Sequence, residues 1–325
     1  MKAIVCDHFA SIDQLKYIDV ADPQPAAGEV VVAVKAAGIN YPDALIVQGL
    51  YQDKPALPFT PGFEFSGEVL ELGEQVKGIS PGTRVMGFST RYGAYAERVA
   101  CPTASILPIP DNMTYVDAAN LACAHGTAQH ALKQRARLQS GETLLVLGAA
   151  GGTGLAAVQI GKAMGAKVIA ACSSPEKLSI AKANGADELI NYKEQDLRAE
   201  LKTLTGGKGV DVVYDPVGGE AFNTCARSMA RNGRLLVVGF ASGEIPQLPV
   251  NLVLVKEYSV IGVFWGSFTQ HEPQVFADNM KELFQWYRDE KIRVITDAQI
   301  PLSDAATGLN RVMQRQVKGK LVLIP

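Results

Sequence analysis

Apolar and polar positions along the chain follow two rhythms. Up to about residue 120 the apolar runs are short and broken by turn residues. "EVVVAVKAAGIN" (Glu29–Asn40) is a β-rich run, "GEVLELGEQV" (Gly67–Val76) alternates with the period of a half-buried strand, and "PGTRVMGF" (Pro81–Phe88) adds a strand after a Pro-Gly turn. Pro23, Pro25, Pro42, Pro55, Pro58, Pro61 and Pro81 punctuate this region, which suits an antiparallel, barrel-like domain. "TYVD" (Thr114–Asp117) opens an Ala-rich helix with a capping box in which Asp replaces Glu. From about residue 121 strands alternate with helical patterns. Strands are predicted at Thr143–Leu147, Lys167–Ala171, Glu188–Ile190, Val210–Tyr214, Arg234–Val238 and Ser259–Phe264. Helices are predicted at Gly152–Met164, Pro175–Asn184, Gln195–Leu204 and Gly219–Ala230. Strands joined by helical crossovers form a parallel, doubly wound sheet. The tail predicts a long amphipathic helix around Gln274–Glu290 and a last strand in "KLVLIP". The fold class is α/β: a β-rich segment 1–122, a doubly wound domain 123–262 and a tail 263–325. No repeat, low-complexity tract or flexible linker interrupts it, and a crevice between two such domains is the natural ligand site.

Composition narrows the partners. Of 325 residues, 47% are hydrophobic and 20% charged, as in an ordinary globular protein, and the formal charge is −2. That balance leaves no basic footprint for nucleic acid or an anionic membrane. Cys6, Cys101, Cys123, Cys172 and Cys225 form no C-x-x-C pair and are too dispersed for a disulfide framework, so free thiols in the cytoplasm are expected. The opening "MKAIVCDHFA" is far from a secretory leader, and the most apolar window, Leu144–Gly161, is broken by glycines below membrane-span length.

That window holds the first candidate site. Gly148, Gly151 and Gly154 follow G-x-x-G-x-x-G between a predicted strand and helix, a variant of the dinucleotide fingerprint. Glycine weakens both kinds of element, so its concentration here implies close approach of a ligand to the backbone. A pyrophosphate at the new helix's N-terminus meets unpaired N–H groups and the positive end of the dipole. Ala150, Gly151, Gly152, Thr153 and Gly154 are the cofactor candidates of this loop. An NAD site carries Asp or Glu at the end of the second strand to hold the ribose 2′-OH. Here "KVIAACSSPEK" ends in Cys172, Ser173 and Ser174 without an acid. Ser173 can donate to a 2′-phosphate and Lys177 lies one turn into the next helix. Two charge-assisted hydrogen bonds of about 1.5–3 kcal/mol each predict a preference for NADPH of roughly a hundred- to ten-thousandfold. The blander alternative is that Ser173 caps the helix and Lys177 is a solvated lysine. Tyr192, in "INYKE", either stacks near the adenosine phosphate or is an ordinary loop tyrosine.

The chain resembles the zinc-free quinone oxidoreductases, the zeta-crystallin-like family of the medium-chain dehydrogenase/reductase superfamily. The likeness runs through "AAGINYPDALIVQGLYQDKPALPFTPGFEFSGEV" (36–69), "HGTAQHAL" (125–132), "VLGAAGGTGLAAVQIGKAMGAKVIAACSS" (146–174), "VVYDPVGG" (212–219) and "GKLVLIP" (319–325). It implies a GroES-like catalytic domain built from the first segment and the tail, with a Rossmann domain inserted between them. It further implies NADPH, a homodimer along the Rossmann sheet edge, and reduction of a quinone or an activated double bond. Family cofactor contacts fall on Gly151, Gly152, Thr153, Lys177 and Tyr192. Thr127, Phe240, Phe264 and Trp265 would lie near the nicotinamide ribose.

The departures concern zinc. Where zinc alcohol dehydrogenases of the superfamily carry catalytic ligands, this chain has Asn40 in "GINYPD" and Phe63 in "PGFEFSG", and the four-cysteine lobe is missing. His125 and His130 are not on one helical face, so no zinc is expected. Without a Lewis acid the acceptor must already be electrophilic, a quinone or an enone. Tyr51 in "QGLYQDKP" resembles the proton-donating tyrosine of enoyl thioester reductases, and the quinone reductases share it. It is either a donor to the enolate or a pocket-lining aromatic. Asn40 and Asp43 either bind substrate or organise the loop, and His125 reads as a capping or packing histidine. An enoyl-CoA reductase and a noncatalytic NADPH-binding protein remain the alternatives. "HEPQ" and "TGGKG" lack the spacing of metalloprotease and phosphate-loop motifs.

Overall fold

Strands buried on both faces carry the second rhythm of the chain. In the structure, a computed structural model that describes residues 1–89 and 91–325, Leu144–Leu147 and Val168–Cys172 are wholly buried. Such continuous apolar strands are what a parallel sheet covered by helices requires. Six strands form it, in the spatial order Glu188–Asn191, Lys167–Cys172, Thr143–Leu147, Val210–Asp215, Met229–Val237, Ser259–Gly262. Every neighbouring pair is parallel. The order reverses between the first strand in sequence, Thr143–Leu147, and the fourth, Val210–Asp215, which is the switch point where doubly wound sheets take ligands. The helices Gly152–Ala163, Pro175–Ala183, Leu197–Leu204 and Gly219–Ser228 make the crossovers.

The first rhythm, joined by two strands of the tail, builds a seven-stranded sheet. Its order is Thr296–Pro301, Lys320–Ile324, Glu29–Ile39, Glu64–Leu72, Arg84–Phe88, Ile106–Pro108, and Arg98–Pro102 also pairs with Glu29–Ile39. All pairs are antiparallel except Thr296–Pro301 with Lys320–Ile324. Register shifts at Val31/Val32 and Val34/Ala36 bend the long strand against its neighbour and let it serve several partners. Val30, Val32, Phe65, Val85, Tyr95, Leu321 and Leu323 fill the core of this unit.

Contacts divide the chain into Met1–Cys123 with Val294–Pro325, and Ala124–Arg293. The chain passes from one to the other within the helix Tyr115–Gln129, where Thr114 Oγ1 accepts from the Asp117 amide at 3.1 Å. The return differs from the expectation of a boundary at 262/263. The expected sixth strand stops at Gly262, and the helices Trp265–His271 and Pro273–Arg288 stay with the second unit. The reason is polar as well as apolar: Gln134 and Asn279 exchange amide hydrogen bonds of 3.0 and 3.1 Å, and Gln129 Nε2 donates to Glu282 at 2.6 Å. The return comes at Val294. In "HEPQ", Pro273 sits in a first helical turn, where a missing N–H costs nothing.

Candidate functional site

Four adjacent strands of the first unit bring one end of each together. Antiparallel register sets Leu321 opposite Ile39, Glu64 opposite Gly38 and Phe88 opposite Glu64. Lys320, Asn40 and Glu64 therefore converge at one end of the sheet. Glu64 is fully buried and Lys320 is 5% exposed. The Lys320 ammonium donates to Glu64 Oε1 at 2.8 Å, Asn40 Oδ1 at 2.6 Å and the Ile39 carbonyl at 2.9 Å. Asn40 Nδ2 donates to the same Glu64 oxygen at 2.8 Å, and the Cys123 amide donates to Glu64 Oε2 at 2.8 Å. Buried charges need such partners, since an unpaired one is costly. Three segments distant in sequence, at Asn40, Cys123 and Lys320, are thus tied to the one carboxylate of Glu64.

Asn40 also precedes the helix Tyr41–Val47, with Pro42 in its first turn. Asp43 reaches back to accept from the Asn40 amide at 2.8 Å, and the same oxygen accepts from Tyr95 OH at 2.9 Å. Burial raises the Asp43 carboxyl to about 7, against the pull of those donors and of Lys320. Burial, then Asp43, pushes the Tyr95 phenol well above its ordinary value. Both polar atoms of the Asn40 side chain and one Asp43 oxygen are thus engaged within the protein, which is the loop-organising alternative of the sequence reading. Beyond this helix lies Tyr51, half-buried. Burial first, then the neighbouring charges of Cys123, Asp43 and Asp53, raise its phenol to about 12, so it keeps its proton at neutral pH. Among the described residues no group of three His, Cys, Asp or Glu side chains is arranged to hold a metal.

In the second unit, Gly148 turns at φ 61° and its carbonyl accepts from the Gly151 amide at 2.9 Å. A Cβ on Gly154 would lie 2.2 Å from the Gly148 oxygen, so the helix can approach the turn this closely only with glycine there. Gly151 is the N-cap, and no side chain caps the helix Gly152–Ala163. That start is built to take an anion at the Gly152 and Thr153 amides. The Thr153 hydroxyl is engaged with Tyr214 OH and the Ala124 carbonyl. Ala150 is buried and the Ala149 amide donates to the Ala171 carbonyl at 3.4 Å, so this loop is tied to the end of the second strand. The Cys172 thiol is raised to about 11 by burial, opposed by the Ala150 and Ala149 backbone and by the Lys177 charge. Lys177 is therefore beside the end of the second strand. Ser174, not Ser173, caps the next helix, accepting from the Lys177 amide at 3.4 Å, and Ser173 is half-buried at the strand end. The residues fit a dinucleotide with a 2′-phosphate.

The remaining candidates separate. Tyr192 is half-buried, and its amide donates to the Cys172 carbonyl at 3.1 Å, at the same sheet end. Thr127 is half-buried in its helix, and Phe240 packs on Gly218. Phe264 is 54% exposed, whereas Trp265 is 5% exposed and lies on Gly126, where a Cβ would come 2.7 Å from the indole. Trp265 also meets Phe276 edge-on at 5.8 Å. The two residues of the expected pair thus differ in exposure, Phe264 open and Trp265 packed. His125 is buried against Gln159, Nε2 to Oε1 3.4 Å, as a packing histidine. Sequence reasoning passed over Glu64, Lys320 and Tyr95. A lysine heading the apolar strand "KLVLI" and a glutamate inside "GFEFSG" were the available signals.

Comparison with known proteins agrees with this architecture. The alcohol dehydrogenase GroES-like domain model matches residues 26–111, and the zinc-binding dehydrogenase model matches residues 152–284. The quinone oxidoreductase-like protein 2 homolog of Nematostella vectensis is 40% identical over 297 residues, 91% of this chain and 81% of the relative. Quinone oxidoreductase-like protein 2 of Rattus norvegicus is 40% identical over 324 residues, 99% of this chain and 91% of the relative. The crystal structure of Escherichia coli quinone oxidoreductase complexed with NADPH superposes with a TM-score of 0.93 at 30% identity, over 100% of both chains.

Proposed function

Because the chain belongs to the zinc-free quinone oxidoreductase family of the medium-chain dehydrogenase/reductase superfamily, we propose that it is an NADPH-dependent reductase of quinones or related α,β-unsaturated carbonyls. The observation that carries the reading is the uncapped helix start behind the Gly148 turn, beside a second strand that ends without an acid. NADPH supplies the hydride when bound. The amides of Gly152 and Thr153 receive its pyrophosphate, and Ser173 and Lys177 hold the 2′-phosphate. Tyr192 closes the adenosine side, with Thr127, Phe240 and Phe264 toward the nicotinamide ribose.

On the acceptor side, Tyr51 holds a phenolic proton through neutral pH and can give it, or a hydrogen bond, to the oxygen that gains charge. Asn40 and Asp43 act as positioning residues for the helix that leads to it. The donor chemistry supports reading the site as zinc-independent. Asn40 Oδ1 and Glu64 Oε1 already accept from the Lys320 ammonium, and a fixed cation there repels a divalent one.

The same reading includes a homodimer. Val250, Leu254 and Val255 of the helix Val250–Lys256 are each more than 75% exposed, and the neighbouring strand Ser259–Gly262 is the edge of the parallel sheet. An apolar patch beside an unpaired edge calls for a second copy. A cytoplasmic location fits five cysteines that form no disulfide, four of them buried. No helix among the described residues is long and apolar enough to cross a membrane.

The test is oxidation of NADPH by the purified protein with a polycyclic ortho-quinone and a short enoyl-CoA side by side, and NADH as cofactor control. Turnover of the quinone with NADPH supports the reading. Higher kcat/KM on enoyl-CoA replaces it with an enoyl reductase, and Tyr51→Phe then removes most of that rate. No turnover of either acceptor refutes the activity.

A further inference from the structure

Tyr92 stands in the left-handed region at φ 62°, a conformation that is unfavourable for a bulky side chain. Its neighbours show what holds it there. The ring packs against Phe59 at 5.7 Å and Phe63 at 5.4 Å between centroids. Phe63 in turn stacks on Phe88 at 6.0 Å and 19°, and Phe59 meets Phe9 at 6.4 Å. The row Phe9–Phe59–Tyr92–Phe63–Phe88 thus runs through the first unit, with Phe63 and Phe88 at the same sheet end as Asn40 and Glu64. The Tyr92 phenol donates to Asp53 Oδ2. Burial and the Asp53 carboxylate keep that phenol protonated far beyond neutral pH.

Asp53 comes two residues after Tyr51. The segment that carries both leaves Leu50 68% exposed and Leu57 39% exposed. Its entry is held by Gly49 N to Ile46 O and Leu50 N to Leu45 O, just after Val47, whose carbonyl accepts from the Ala10 amide at 3.3 Å. The Tyr92–Asp53 bond therefore ties this segment to a residue 39 positions away. After burial and Asp53, Tyr51 and Asp43 also contribute to the raised phenol of Tyr92.

We propose that Tyr92, acting through Asp53, is a positioning residue that seats the Tyr51 segment against the aromatic row, and that this clasp makes the acceptor site selective for flat aromatic acceptors. The inference rests on the reading of Tyr51 as the acceptor-facing residue. Stacked and tilted aromatic faces favour a planar π system, and a fixed Tyr51 segment keeps them presented.

Tyr92→Phe removes the hydroxyl and keeps the ring. Asp53→Ala removes the acceptor, and Asp53→Asn keeps an oxygen that can receive the phenol's hydrogen. The expected result for Tyr92→Phe and Asp53→Ala is a KM for a polycyclic ortho-quinone raised about tenfold, the loss of one hydrogen bond to a charged group that is partly exposed. Their kcat, their KM for NADPH and their kcat/KM on a single-ring quinone stay near wild type. Asp53→Asn restores most of the difference, and the double variant is no worse than either single one, because both remove the same bond. Amide hydrogen exchange across residues 50–57 speeds up in Tyr92→Phe and Asp53→Ala. Unchanged exchange in both, or additive losses, overturns the clasp, and equal losses on large and small quinones overturn the selectivity. A wild-type protein inactive on both quinones refutes the functional reading, and the exchange rates then decide the clasp by the same criterion.

Discussion

Replacing Lys320 with methionine separates a charge from its partner where water cannot help. Methionine has nearly the same length, so the packing of the strand Lys320–Ile324 is kept while three hydrogen bonds and the ammonium are lost. Glu64, fully buried, retains Asn40 Nδ2 and the Cys123 amide as donors but no counter-charge. Breaking a buried pair from one side costs about 3–5 kcal/mol. In a unit of this size each kcal/mol moves the melting point by about 2–4 °C, so the calorimetric transition of the first unit should fall by about 6–20 °C. The pH dependence supplies the sign. An unpaired buried carboxylate has its folded pKa raised above the unfolded value. The deficit is then full above that raised value and shrinks as pH falls toward the ordinary carboxylate range. Adding Glu64→Gln removes the stranded charge, so the double variant should melt higher than Lys320→Met alone at neutral pH. A Lys320→Met protein within about 1 kcal/mol of wild type by calorimetry, below the range for a broken buried pair, or a double variant less stable than the single, refutes the claim that Glu64 and Lys320 compensate each other.

Lys177→Ala should raise the KM for NADPH about ten- to a hundredfold, the worth of one charge-assisted bond, and leave NADH use nearly unchanged in steady-state assays. Equal losses for both cofactors would remove the 2′-phosphate assignment. Gly154→Ala sets a Cβ at 2.2 Å from the Gly148 oxygen, so NADPH affinity measured by calorimetric titration should drop with the loop's displacement. Asp43, held near 7 in the folded protein against an ordinary 3.8, makes the first unit less stable as pH rises through about 7. Asp43→Asn should flatten that slope in melts from pH 5 to 8. Leu254→Asp or Val255→Asp should shift the protein from dimer to monomer in light scattering, since both side chains are more than 75% exposed on the proposed interface.

Legibility in the sequence tracked how local each determinant is. The strands of the parallel sheet were readable because burial on both faces writes itself as an apolar run, and Thr143–Leu147 emerged with the bounds the pattern gave. The Gly148 turn was readable because its steric demand falls on glycines within one loop. The boundary at Val294 was not, because the helix Pro273–Arg288 is amphipathic wherever it docks, and only its partners Gln129 and Gln134, about 150 positions away, decide the unit. The short helix Tyr41–Val47 carried a local signal that the strand pattern overshadowed, an Asn40–Asp43 cap with Pro42 in the first turn, and Tyr95 adds its bond to Asp43 from across the unit.

The first unit's cluster carries this furthest. From the sequence, Asn40 and Asp43 either bind substrate or organise the loop. What the sequence could not show is that Lys320, at the far end of the chain, arrives at the same sheet end and takes Asn40 Oδ1. Once that ammonium is present, both polar atoms of the Asn40 side chain are engaged within the protein, and the proposed chemistry lies with Tyr51. A phenol raised to about 12 and two residues from a carboxylate held by Tyr92 is then the group whose position must be controlled. The buried charges hold the scaffold, a task set by which side chains the antiparallel register brings to one end of the sheet, and in the proposed reading it is Tyr51 that meets the acceptor.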